Sequence, residues 1–416
     1  MMTTLGILLL VSSTSALHEY EVKVIEHSTT PVLSSANAKG HGAAPPGCIV
    51  FNPSFIPSSP SFNQSGLLVR LCCGSSCTGH GSDVSSSSFL ADDGLPAERI
   101  GFAPCDLHTG VCGDVLPSSV FNLDPASDSE DPRAYYHDGM YYNFYYRKRS
   151  DAPQRCKGDQ CTVKLAKSPT PLDAASWQEV TTLPWHRNGC CALKNKFRDR
   201  VWCIWGEGPD PFPGLGISHT ADLDSGTFTQ GQWDDSALPS ASRNSTCPLS
   251  ADRRWFLPYG ASREEVKLEA AAPLVELQTG DLLHFYAAAT PGWVPNGNYT
   301  AGFVVLDRRN PARILQRSDR HVLIPTFDYE TLCGGDPSCK YRGERKNVIF
   351  LSSATAMGTQ GTNVDRVRLF FGGGDGNVGT AIVDVVARPK KVSGRTHTCA
   401  REDASLGVMF CSMHTD

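Results

Sequence analysis

The stretch SDSEDPRAYYHDGMYYNFYY, residues 127–146, sets two adjacent carboxylates, Glu130 and Asp131, against Pro132 and Arg133 at the start of an aromatic-rich run. A carboxyl partly desolvated among aromatic side chains keeps a proton near neutral pH and can give it to a departing oxygen. An Asp-Pro step is equally an ordinary way to open a turn. Further acids stand in loop or glycine-rich settings: Glu207 and Asp210 in GEGPDPFPG, Glu269 in KLEAAAPL, and Asp375 in GGGDG. Glycines let a backbone come close to a ligand, which favours Asp375 as a ligand-facing residue. Carboxylates beside aromatics and arginines suit sugars, whose faces stack on rings and whose hydroxyls take paired hydrogen bonds. Neighbouring residues of a strand point to opposite faces, so Glu130 and Asp131 are not expected to converge.

Other chemistries lack their residues. There is no G-x-S-x-G elbow and no H-E-x-x-H, and the histidines have no common metal spacing, so neither serine hydrolysis nor a metal site is expected. Residues 374–379, GDGNVG, satisfy G-x-G-x-x-G, but TAIVDVV follows and reads as a strand. A dinucleotide site needs a helix whose N-terminus faces the pyrophosphate, so no cofactor is expected there, only a hairpin turn. A net charge of −5 over 416 residues leaves no basic surface for nucleic acid.

Residues 1–16, MMTTLGILLLVSSTSA, run from an apolar core to small residues, the pattern of a signal peptide, and nothing later is long enough to span a membrane. The 16 cysteines include short polar loops at Cys156–Cys161, Cys333–Cys339 and Cys105–Cys112, and the group LCCGSSC with Cys72, Cys73 and Cys77. They lack zinc spacing and read as disulfides with open connectivity, which together with sequons at Asn63, Asn244 and Asn298 points to a secreted or secretory-pathway protein.

The elements that must position the acids are almost all strands. Alternating or β-branched runs gather in five clusters, near 48–80, 100–166, 190–225, 280–308 and 347–387. Turn signals separate them, including His137-Asp138-Gly139, which suits a tight hairpin. Only SREEVKLEAAAPL has helix-forming composition, and Pro273 ends it. Many short strands in clusters of similar length indicate an all-β, five-bladed β-propeller in preference to a sandwich. The expected layout is a signal peptide at 1–16, an N-terminal extension at 17–44, the propeller at 45–390, and a tail at 391–416 that carries Cys399 and Cys411.

In order along the chain, FNPSFI with GLLVRL, EDPRAYYHDGMYYNFYY, RNGCCALKNKFRDRVWCIW, KLEAAAPLVELQTGDLLHFY, YTAGFVVLDRRNPARILQRSDRHVLIPTFDYE, KNVIFLSS and VRLFFGGGDGNVGTAIVDV resemble the blocks of glycoside hydrolase family 130. That family holds β-mannoside phosphorylases and related inverting hydrolases on a five-bladed propeller. The resemblance, from about Cys48 to Val386, implies Asp131 as general acid, with Asn52, Arg70, Arg133 and Asp375 around the sugar. It places Arg187, Asn188 and Lys267 at a phosphate site. Two further basic positions of the family fall on Gly206 and Ala287, and phosphate needs several converging donors, so hydrolysis is expected over phosphorolysis. Inverting hydrolysis requires a second carboxylate as base. Glu207 is the candidate, with Asp210 and Glu269 in reserve. The expected partner is an oligosaccharide or glycan. Phosphorolysis with inorganic phosphate, a binding protein without catalysis, and the five-bladed arabinan- and fructan-active enzymes are the alternatives, the last lacking its early Asn-Asp-Pro here.

Overall fold

The computed structural model describes residues 18–35, 42–74, 77, 91, 94–149, 161–183, 189–191, 200–206, 214–230, 257–258, 267–291, 298–335, 338–390, 398–400 and 410–412. They form an all-β, propeller-like arrangement in which successive sheets adjoin around a closed ring. The first sheet holds Cys48–Ile56, Gly66–Cys73 and Glu98–Pro104; the second holds Ser127–His137, Met140–Arg149, Cys161–Ser168 and Gln178–Leu183. The third is built on Gly189–Cys191, Val201–Trp205 and Gly214–Thr220, and the fourth on Lys267–Ala270, Leu282–Ala289, Tyr299–Leu306 and Ile314–Arg317. The last contains Ile349–Thr359, Val364–Gly373 and Asn377–Pro389. The chain thus runs antiparallel from strand to strand within each sheet.

The expectation of five blades is met in part. Among the described residues four sheets reach four or more strands, the complement of a full blade, and the first stops at three. The reason lies after Pro104: the disulfide loop Cys105–Cys112 and the turn Pro117–Ser119 carry the chain onward, and the segment returns to the third strand through separate backbone bonds, Gly113 N to Pro104 O, Leu116 N to Phe102 O and the Phe121 bridge to Ile100, where a fourth strand would lie. Proline in that turn has no N–H to extend the ladder.

The sheets cover one another's faces, so strands such as Cys48–Ile56, Gly66–Cys73, Leu282–Ala289 and Tyr299–Leu306 are buried along their length, while outer strands such as Gln178–Leu183 and His18–His27 are partly exposed. GLLVRLCC is buried throughout: Leu67, Val69 and Leu71 face the last sheet, and Leu68 faces the second. In MYYNFYY, Tyr141 and Tyr145 pack toward the first sheet, while Tyr142 and Phe144 pack toward the third. Tyr135 and Tyr136, expected beside Asp131, belong to these same wedges of core.

The ring closes through the segment read above as an N-terminal extension. His18–His27 pairs antiparallel with Asn377–Pro389, and Tyr20 reaches sideways to the fourth sheet: its N–H donates to Gln316 Oε1 at 2.7 Å, its carbonyl accepts from Gln316 Nε2 at 2.6 Å, and its hydroxyl touches Asp281. The Asp138-Gly139 hairpin is present, both residues at positive φ. Lys267–Ala270, in the segment of helix-forming composition, is instead a strand, because its pairing with Leu282–Ala289 outweighs local propensity. Cys105–Cys112 and Cys333–Cys339 are disulfides as expected; in LCCGSSC, Cys72 joins Cys77 while Cys73 reaches back to Cys48. Cys156 and Asn244 lie outside the described residues, as do residues 1–17; Asn63 and Asn298 are exposed, and Cys399 stands opposite Cys411 in a two-stranded ribbon. No helix among the described residues is long and apolar enough to cross a membrane.

Candidate active site

Two innermost strands break their ladder in the same way. Cys48–Ile56 slips register between Phe51 and Ser54, and Ser127–His137 slips between Glu130 and Arg133. The residues that bulge out are Asn52-Pro53 in one and Asp131-Pro132 in the other. Proline has no N–H, so it sits in a bulge without stranding a donor, and the residue before it is free to leave the pleat. Asn52 and Asp131 do so at φ of +48° and +54°, a left-handed conformation uncommon outside glycine. Such strain persists only where the surroundings hold it, and here it aims two side chains at each other: Asn52 Nδ2 donates to Asp131 Oδ1 at 2.6 Å. Gly372 of the last sheet completes the fit, since a Cβ there would meet Asn52 Oδ1 at 2.4 Å.

Arg70 lies across the same carboxylate. Its Nη1 donates to Asp131 Oδ1 at 3.1 Å, its Nε and Nη2 fork onto Glu98 at 2.8 Å each, and Nη2 stands 3.2 Å from Glu130 Oε2. The Phe51 ring lies beneath the guanidinium at 4.7 Å. Glu130 and Asp131 therefore do converge, contrary to strand alternation, because the bulge intervenes. Burial works against the Arg70 charge, but Glu130, Glu98 and Asp131 hold its pKa well above the ordinary value.

Several acids near Arg70 nevertheless hold their protons more tightly than usual. Burial pushes the Glu98 carboxyl up against the pull of Arg70. The Glu98 N–H donates to Asp128 Oδ1 at 3.1 Å, and Asp128 is raised to about 8 by burial and by the charges of Glu98 and Glu130. Glu344, also raised to about 8, owes this to burial and then to Glu98. The Glu98 and Glu344 carboxylates lie within 4.8 Å of each other and of the Cys72 sulfur, but that sulfur is bonded to Cys77 and so is no thiolate for a metal. Asp375, at φ +45° in the turn between Val364–Gly373 and Asn377–Pro389, is raised chiefly by burial, with Arg345 and Arg70 pulling down and Asp131 and Glu269 pushing up. Asp375 is therefore within electrostatic reach of Asp131, Arg70 and Glu269.

These shifts fix a stability profile. Asp128 and Glu344 are raised from ordinary values of 3.8 and 4.5, so between about pH 4 and 8 the folded protein keeps protons that the unfolded chain releases. Their contribution is full below that window and is lost as pH rises through it. Tm is expected to fall from pH 5 to pH 8 in thermal denaturation; a Tm that climbs over this interval contradicts the cluster.

The remaining candidates make other contacts. Arg133 has its guanidinium over Phe350 at 5.1 Å and its Nη1 donates to Pro132 O at 2.9 Å, near the buried His284. Lys267 contacts Glu269 and lies over Tyr299 at 5.4 Å. Ala287 stands directly opposite Glu269 in the ladder, and Gly206 O accepts from Ala270 N at 3.0 Å, so both positions that lack the family's basic residues border strand Lys267–Ala270. Arg187, Asn188, Glu207 and Asp210 lie outside the described residues. Sequence reasoning missed Glu98, Asp128 and Glu344. A glutamate opening the buried run ERIGFAP was the available signal for Glu98; Glu344 stands in a loop and offered none.

The model of a family described as Glyco_hydro_130, β-1,4-mannooligosaccharide phosphorylase, matches residues 254–387, the segment with Lys267, Glu269 and Asp375. The resemblance to glycoside hydrolase family 130, whose members are glycoside phosphorylases or hydrolases, is upheld there. Comparison with curated protein sequences returns no match. Among solved structures, a β-1,2-mannobiose phosphorylase of Listeria innocua, in complex with β-1,2-mannobiose, is 13% identical at a TM-score of 0.56, over 87% of this chain and 96% of that one. A glycosyl hydrolase of Bacteroides ovatus is 16% identical at 0.54, over 80% and 83%. A structure described with the GH130 mannoside phosphorylases and the hydrolases among them that target β-1,2-mannosidic linkages in Candida mannan is 14% identical at 0.55, over 88% and 94%. At these identities the likeness is one of fold.

Proposed function

We propose that this chain, whose residues 254–387 match the glycoside hydrolase family 130 model, is a glycan-active enzyme that hydrolyses β-mannoside-type bonds with inversion. The observation that carries the reading is the meeting of Asn52, Arg70 and Asp131, brought by three strands of two sheets onto one carboxylate oxygen. In this reading Asp131 protonates the leaving oxygen, Asn52 and Arg70 hold it in place, and Asp375 accepts from sugar hydroxyls. The three-stranded first sheet with its Phe121 bridge is a reduced fifth blade.

Water is favoured over phosphate by the surroundings of Lys267. Two of the family's basic positions here are Gly206 and Ala287, and of the basic residues that the resemblance keeps, Arg187 and Lys267, the lysine is matched by the buried Glu269. A phosphate dianion that has lost two donors gains little from a lysine already paired with a carboxylate. Glu269, within electrostatic reach of Asp375, is the described carboxylate best supported as the base, with Glu207 the candidate from sequence. The disulfides support a secreted or secretory-pathway protein.

The test is turnover of β-1,2- and β-1,4-mannobiose with and without inorganic phosphate, with the product anomer followed by NMR. Phosphate-independent release of α-mannose is expected. Release of mannose 1-phosphate would identify a phosphorylase, and binding without turnover would identify a carbohydrate-binding protein.

A further inference from the structure

The two strained bulges are fastened by one repeated device. Three residues after Asn52, the Phe55 N–H donates to Ser353 Oγ at 3.0 Å; three residues after Asp131, the Ala134 N–H donates to Ser54 Oγ at 2.7 Å. Each acceptor comes from the preceding sheet of the ring: the last sheet holds the first, and the first holds the second. Ser353 itself follows a register slip between Leu351 and Ser353, and its neighbour Ser352 donates to Pro53 O at 2.6 Å. All three serines are at most 1% exposed. Within the second sheet, Asn143 Oδ1 accepts the Arg133 N–H at 3.2 Å, so both amides that follow Pro132 donate to side chains.

We infer that Ser54 is a positioning residue for Asp131: its hydroxyl accepts the Ala134 amide across the sheet boundary and thereby holds the bulge that aims Asp131 at Asn52 and Arg70. Ser54 lies two residues after Asn52, so one short segment supplies both the amide that touches Asp131 and the hydroxyl that fixes its backbone. A proton donor displaced by even a small fraction of its reach loses much of its rate, because the reacting groups must meet within hydrogen-bond distance. Substrate contacts elsewhere in the site do not depend on this bond.

The inference rests on the catalytic reading above in its kinetic part only, and the experiment separates the two. Ser54→Ala is compared with Ser119→Ala, which removes a bond of the same kind, Phe102 N–H to Ser119 Oγ at 2.8 Å, at a buried position in the turn Pro117–Ser119 that packs on the first sheet. Ser54→Ala is expected to lower kcat on the order of 100-fold with KM changed less than about threefold, whereas Ser119→Ala keeps kcat. Ser54→Thr, which retains the hydroxyl, is expected to restore most of the rate. Hydrogen exchange gives a readout without turnover: the Ala134 amide is slow in the unmodified protein and accelerates selectively in Ser54→Ala. Equal effects of the two alanine variants on kcat, or an Ala134 amide indifferent to Ser54→Ala, overturn the inference. If Ser54→Ala does not fold, an Ala134 amide that exchanges in the unmodified protein like an exposed turn amide overturns it equally. Absence of turnover in the unmodified protein sinks the proposed function instead, and exchange still decides the clamp.

Discussion

Asp131→Asn is expected to lower kcat by about 100- to 10,000-fold on a β-mannoside, the range a positioned general acid supplies, while mannoside binding stays intact. The substitution keeps the shape and an acceptor oxygen for Asn52 Nδ2 and Arg70 Nη1, so the two bonds at 2.6 and 3.1 Å can persist. What is lost is the capacity to take up a proton and deliver it to the leaving oxygen. Removing one of three carboxylates that crowd Arg70 also relieves an excess of negative charge, so Tm should hold or rise. Paired kinetics and calorimetric binding check this. A variant that turns over within tenfold of the unmodified protein removes Asp131 from the acid's role.

Arg70→Met is expected to cost roughly 3–5 kcal/mol at pH 7, the cost of leaving buried charges without their partner. Methionine fills much of the volume but removes the contacts that Arg70 makes with Glu98, Glu130 and Asp131. The loss should shrink as pH falls toward 5, because the stranded carboxylates can then take up protons. Arg70→Lys should recover little of it, since an ammonium cannot reproduce the fork onto Glu98 together with the bond to Asp131. Urea unfolding at pH 7 and pH 5 measures both effects; a cost under 1 kcal/mol at pH 7 contradicts the central place given to this arginine.

The site was legible residue by residue where a local pattern announced it. Asn52-Pro53 and Asp131-Pro132 are each a polar residue before proline at the edge of an apolar run, and both became bulges. Asp375 stood among glycines that the tight turn needs, Gly374 at φ +60° among them. Arg70 was marked only by the family resemblance, since a charge on a strand reads by itself as exposed, and its burial came from the packing of the sheets. The convergence of Glu130 with Asp131 was not, because a period of two residues predicts opposite faces and nothing in the letters says where the period breaks. Glu344 came from a loop far along the chain, and its approach to Glu98 depends on how the last sheet meets the first.

Strand content, turn positions and the all-β class were set by the sequence itself, since alternation, β-branching and Asp-Gly or Gly-rich turns act through neighbours along the chain. Tertiary structure decided the rest: that the first sheet has three strands, that His18–His27 closes the last sheet, and that one arginine faces three carboxylates. The physical reason is the same in each case. A closed ring brings together residues tens to hundreds of positions apart, and their charges and hydrogen bonds acquire meaning only at those meeting points.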